Sequence, residues 1–94
     1  MTLKVSPNAV HEMMESVTFQ HWLVPGTTTT VVAAVMADGF VLATGTSGCI
    51  DPSGFDAELG VKIATDNARV AAFDKCWELL GWELKMSMTN SGYG

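Results

Sequence analysis

The side chains of this chain that could do chemistry are few and stand apart. Asp51, Asp56 and Glu58 form its densest acidic group. They sit where a long helix is expected to begin, and negative charge there is stabilised by the helix dipole, so an acid/base pair is not needed to explain them. Three carboxylates suit Mg²⁺ in type, but no further ligand accompanies them. His11 falls on the polar side of a short helix and His21 stands beside Trp22, with no Ser, Cys or Asp partner spaced to make a nucleophilic set. Cys49 and Cys76 show no metal-ligand spacing with either histidine, and two cysteines cannot make a disulfide framework. Gly45-Thr46-Ser47-Gly48 lacks the lysine of a phosphate-binding loop. The chain therefore reads as a non-enzyme with no cofactor and no metal.

Binding chemistry is better represented. Thr27 to Thr30 lie opposite Thr44, Thr46, Ser47 and Gly48 in the hairpin described below, which makes one end rich in hydroxyls. Ordinary strand preference for threonine is the first explanation, and a polar pocket floor offering donors and acceptors to a ligand is its rival. Trp22, Trp82 and Phe55 can stack on a base, and Arg69 or Lys62 can meet a phosphate. The candidate ligand residues are Trp22, Thr28, Thr30, Thr46, Ser47, Asn67, Arg69 and Trp82.

The elements that must position these residues follow from patterning. Ser6-Pro7 opens a short helix with Ala9, Val10, Met13, Met14 and Val17 on one face. Residues 18–24 are a strand or the approach to one. Pro25-Gly26 breaks the chain, and a β-branched run over 27–37 follows as a strand. Asp38-Gly39 is a favoured two-residue type I′ turn, and 40–47 returns as the partner. That turn pairs Met36 with Val41, Val35 with Leu42, Ala34 with Ala43 and Val32 with Gly45. Both faces of the ribbon are then apolar, so one face needs a helix and the other a neighbour. Val31, Val32, Val35, Met36 and Leu42 are the expected interface residues of a homo-oligomer.

A long helix is expected over 52–80, opened by Ser53 and Asp56 as a capping box or by Asp51 as a rival cap. Phe55, Leu59, Ile63, Val70, Phe73, Trp77 and Leu80 form its apolar stripe, interrupted by Asn67. Gly60, Ala64, Ala68, Ala71 and Ala72 thin a neighbouring face and allow close approach of another element. Gly81 is placed to end the helix. Alternation over 82–86 suggests a short strand before a fraying tail at 89–94. The fold class is α+β: a single domain over 1–94, with an N-terminal helix within 1–17, a β-hairpin region of three or four strands over 18–50, the helix over 52–80, and a short strand and flexible tail over 81–94.

Composition bounds the function. The chain has 94 residues, of which 48% are hydrophobic and 16% charged, against a usual charged fraction of about 25%. So small a domain cannot hide that much apolar surface alone, and a dimer or tetramer is expected. The net charge is −5 and the five basic residues are scattered, which disfavours long nucleic acid. No apolar run is long enough to span a bilayer, and the N-terminus lacks the pattern of a signal peptide. A reducing cytoplasm suits the free cysteines.

Several motifs in one order resemble a family of tailed-phage accessory proteins typified by gene 49 and gene 66 products of two short-tailed phages. They are Pro25-Gly26-Thr27-Thr28, Asp38-Gly39-Phe40, Gly45-Thr46-Ser47, Cys49-Ile50-Asp51-Pro52, Phe55-Asp56, Gly60, Ala64, Asn67-Ala68 and Trp77 to Trp82. The likeness runs from Phe19 to Met86. It departs at Val32 to Ala34, where cysteine or histidine and leucine would be expected, and near Phe73, where an extra residue or two stands. The resemblance implies a phage protein working in the host cytoplasm and brings no settled enzymatic role with it. Its context suggests sequestration of a small host molecule such as a defence signalling nucleotide. The rival reading is an inhibitor or adaptor that binds a host protein through an exposed apolar face.

Overall fold

The computed structural model describes residues 5–92, with side chains to residue 88. Helix α1 spans Pro7–Glu15, strands β1, β2 and β3 span Thr18–Leu23, Thr30–Val35 and Val41–Ser47, and helix α2 spans Ala57–Gly92. The strands form one antiparallel sheet in the order β1-β2-β3. Val10 of α1 joins Ala34, Leu42, Ala72 and Cys76 in one buried cluster, so both helices lie on the same side of the sheet.

Local chemistry accounts for the connections. Pro25 and Gly26 close a turn in which Thr27 N–H donates to Val24 C=O at 3.1 Å, and Gly26 takes the positive φ of 76° that this turn demands. Between β2 and β3 the loop has three residues, 37–39, and not two. Gly39 N–H donates to Met36 C=O, Met36 N–H donates to Phe40 C=O, and only Gly39 has positive φ. This is a type I turn closed by a glycine, not the expected type I′ turn, because Asp38 keeps negative φ and accepts from Phe40 N–H at 3.0 Å.

The longer loop shifts the pairing by one residue, and a bulge shifts it back. Val35 pairs with Val41, yet Ala34 pairs with Ala43, leaving Leu42 as the extra residue. Expected pairs Ala34–Ala43 and Val32–Gly45 hold; Met36–Val41 and Val35–Leu42 do not. Leu42 is thereby turned into the core at 3% exposure, while Val41 faces out.

Helix α2 begins later than expected, after a 3₁₀ turn at Pro52–Gly54. Asp51 accepts from Ser53 N–H and caps that turn, whereas Asp56 accepts from Glu58 and Leu59 N–H and caps the α-helix. The helix does not stop at Gly81, and residues 82–86 are helical, not a strand. One interior glycine costs about 1 kcal/mol against alanine. Good helix formers follow it in Glu83, Leu84, Lys85 and Met86, and Leu80 and Leu84 line a groove with Val5 and Ala9. The segment expected as a tail is helical to Gly92, and residues 93 and 94 lie outside the described residues.

The face α2 gives the sheet is the thin one. Gly60, Ala64, Ala68, Ala72 and Cys76 recur every four residues and are all buried. Gly45 of β3 lies directly beneath, where a Cβ would collide with Ala68 N and Ala64 O. The large stripe expected as core points away from the sheet: Leu59, Ile63 and Val70 are exposed. Only its C-terminal half is covered, where Trp77 and Leu80 pack on the α1 cluster.

Gly45→Ala sets a methyl against helix backbone, which has no rotamer to yield. Its expected cost is at least about 2 kcal/mol, near the upper range for overpacking. Chemical denaturation checks this, and an unchanged midpoint refutes the contact.

Candidate functional site

The open end of the sheet, away from the β2–β3 loop, meets the N-terminus of α2. Two clefts lie there on either side of Phe55. The first, about 160 Å³, is bounded by Thr28, Ser47, Gly48, Cys49, Asp56 and Gly60 among others. The second, about 310 Å³, is bounded by His21, Trp22, Leu23, Thr30, Phe55, Ala57 and Val61 and is almost wholly apolar. Strand alternation places His21 and Leu23 on the α2 side of the sheet with Val32 and Thr30, their cross-strand partners, and turns the Trp22 side chain to the other face with Val31, so Trp22 borders the cleft from the strand between them.

Two of the hydroxyls at this end are engaged and a third is buried. Thr27 Oγ1 donates to Val24 C=O at 2.8 Å, and Thr28 Oγ1 donates to Cys49 C=O. Thr30 is buried under Gly60, whose missing side chain leaves room for its hydroxyl. The threonine cluster is thus first a device for tying the loop at 24–29 to the exit of β3.

The predicted ligand residues do not converge on one point. Trp22, Thr28, Thr30 and Ser47 border the two clefts. Thr46 and Asn67 meet at the β3 edge, where Asn67 Nδ2 donates to Thr46 C=O at 3.0 Å. Asn67 is therefore neither a core polar group nor a cleft residue. Arg69 lies on the opposite edge, with its guanidinium 5.1 Å from the Phe19 ring centre and 2.9 Å from Asp66. Trp82 is on the far part of α2, exposed, with Lys85 5.5 Å from its ring centre. Of the predicted interface residues, Val32 and Leu42 are core and Met36 packs against that core. Val31 and Val35 are partly buried and face the uncovered side of the sheet. His21, Leu23 and Val61 were missed as cleft residues, although a period of two counted from Phe19 puts the first two beside it.

Electrostatics limit what the clefts can hold. Asp56 occupies the first free amides of α2 and Glu58 adds charge in the same turn, so the positive helix end is already neutralised. A phosphate has no vacant helix end to sit on. The Ser53 hydroxyl and N–H hold the Asp51 carboxylate below its ordinary range. This lowered value favours the folded turn above pH ~4 and the benefit fades as pH falls through it. Burial pushes the Cys76 thiol up, while Cys49 is half-buried and its Sγ lies 3.0 Å from Asp51 C=O. Among the described residues no His, Cys, Asp and Glu gather as a metal-binding group.

These features define a small α+β protein: a three-stranded sheet backed on one side by two helices, with a cleft at the N-terminus of the longer one. The chain belongs to the phage protein (N4 Gp49/phage Sf6 gene 66) family, whose model matches residues 5–88. No curated protein and no solved structure matches it. No helix among the described residues is long and apolar enough to cross a membrane.

The two thiols give a direct check of the packing. Iodoacetamide at pH 8 should add one group to the native protein, at Cys49, and a second only in denaturant. Native labelling of Cys76, read by peptide mass, contradicts the burial described.

Proposed function

We propose that this is a phage accessory protein acting in the host cytoplasm as a homo-oligomeric, non-catalytic binder of a small host molecule, such as a defence signalling nucleotide. The single observation that supports the reading is the cleft between β1 and α2. Its walls are His21, Leu23 and Phe55, with Thr30 and Val61 below and beside them. Flat aromatic walls around an apolar space suit a nucleobase, and stacking contributes about 1–3 kcal/mol per base. The anionic part of such a ligand stays outside the cleft, since Asp56 and Glu58 guard the helix end. Arg69 is the cation on the β1 side, about 12 Å further along α2 by helix rise, and its ion pair with Asp66 is exposed and readily exchanged.

A second reading is favoured by a different observation. Leu59, Ile63 and Val70 form an exposed apolar row on the outer side of α2, which suits an inhibitor or adaptor that docks on a host protein.

Calorimetry against a panel of cyclic and linear nucleotides separates the two. The first reading expects saturable heat with at least one of them and at least about a tenfold loss of affinity in Phe55→Ala. No heat from any nucleotide, together with a stoichiometric host protein captured by the wild type and lost in Val70→Asp, overturns it.

A further inference from the structure

The two edges of the sheet are unlike. On β3 the chain defends its edge: the Leu42 bulge interrupts the ladder, and Asn67 reaches over to occupy the Thr46 carbonyl. On β1 it does not. β1 is six residues long, Thr-Phe-Gln-His-Trp-Leu, with no proline, no bulge and no Lys, Arg, Asp or Glu. Every residue of it but Phe19 is exposed. A long, regular and uncharged edge is a template for another strand.

The ladder tells which backbone groups are free. Val24 N–H donates to Thr29 C=O at 2.9 Å, continuing the β1–β2 register by one pair. Hydrogen-bonded pairs alternate along an antiparallel ladder, so Trp22, Gln20 and Thr18 point their amides and carbonyls at β2. Leu23, His21 and Phe19 point theirs outward. The same alternation applied to β3 turns Thr46 outward, which is where Asn67 finds it.

We propose that β1 pairs antiparallel with β1 of a second copy about a two-fold axis at His21, giving one continuous six-stranded sheet. The edge is its own complement in this register. Phe19 lies opposite Leu23 of the second copy, His21 opposite its counterpart, and all three outward residues of each chain find partners at once. Cross-strand neighbours share a face, so Phe19, His21 and Leu23 of both copies lie on the helix side, and apolar Leu23 meets apolar Phe19. Nothing on this edge carries a fixed charge, so two chains of net charge −5 meet there without local repulsion.

The position of α2 leaves room. It lies over β3 and β2 and scarcely reaches β1, whose Leu23 is 45% exposed and Trp22 48% exposed on the monomer. Pairing sets the two α2 helices on one side of the joined sheet, separated by both β1 strands. The cleft of His21, Leu23 and Phe55 then becomes half of a trough whose far wall is the second copy. That this trough holds the ligand rests on the reading of the preceding subsection; the pairing itself does not.

Cross-linking tests the pairing without any ligand. In a Cys49→Ser background, His21→Cys should form a disulfide-linked dimer on mild oxidation, since residues facing on this axis are within disulfide reach. Thr44→Cys on the β3 edge should not. Light scattering should give the wild type twice the 10.0 kDa of one chain, or a higher even multiple. His21→Pro, which removes an outward donor that no bond inside the chain uses, should halve that mass while keeping the circular dichroism of the fold. A wild-type mass of one chain, or equal cross-linking at His21→Cys and Thr44→Cys, overturns the pairing. If dimers form and His21→Pro monomers bind a nucleotide as tightly as the wild type, the shared trough is wrong although the pairing stands.

Discussion

The structure depends on one close approach, that of the α2 backbone to Gly45. Every four residues α2 offers the sheet glycine, alanine or cysteine, and at its closest point the sheet answers with a residue that has no side chain. Burying alanine gains little per residue compared with leucine, so this interface is stabilised by the number of atoms in contact and not by large side chains. The cost of that choice shows on the opposite side of the helix. Leu59, Ile63 and Val70 have to point somewhere, and with the thin face against the sheet they point into solvent.

The same placement decides where a ligand can go. Because α2 sits over β3 and β2, the β3 edge is tied to the helix by Asn67 while β1 runs out beyond it. The free volume at the open end is consequently on the β1 side, against His21 and Leu23 and beside Val61. Acidic residues at the start of α2 keep that volume unattractive to a bare anion, and the apolar walls favour a flat, uncharged group. Charge and shape of the cleft thus favour the same kind of group.

Much of this was legible in the chain. Two helices and the β2–β3 hairpin followed from periodicity, the glycine and proline positions, and the Asp38-Gly39 pair. What one sequence could not give was the azimuth of α2. Leu59, Ile63, Val70 and Phe73 have the spacing of a core stripe, and only the contact with Gly45 shows that the alanine row won. Gly81 misled for a similar reason: a glycine ends a helix when nothing packs beyond it, and here Leu80 and Leu84 flank it beside Val5. Trp22, Thr28, Thr30 and Ser47 border the two clefts because the hydroxyl-rich end is the open end. Asn67, Arg69 and Trp82 were placed with it on chemistry alone, and register and helix direction send them to three other places.

The tip of the hairpin has a property beyond its shape. A two-residue loop without a bulge and a three-residue loop with one both bring Ala34 opposite Ala43, so everything below that pair is indifferent to which is formed. The two arrangements differ in whether Val41 or Leu42 fills the core, where the larger side chain gains by about one methylene, roughly 0.8 kcal/mol, and in the turn, where the three-residue loop spares Asp38 a positive φ. The bulge therefore absorbs the choice of turn at the tip, and the pairing from Ala34 onward carries no trace of it.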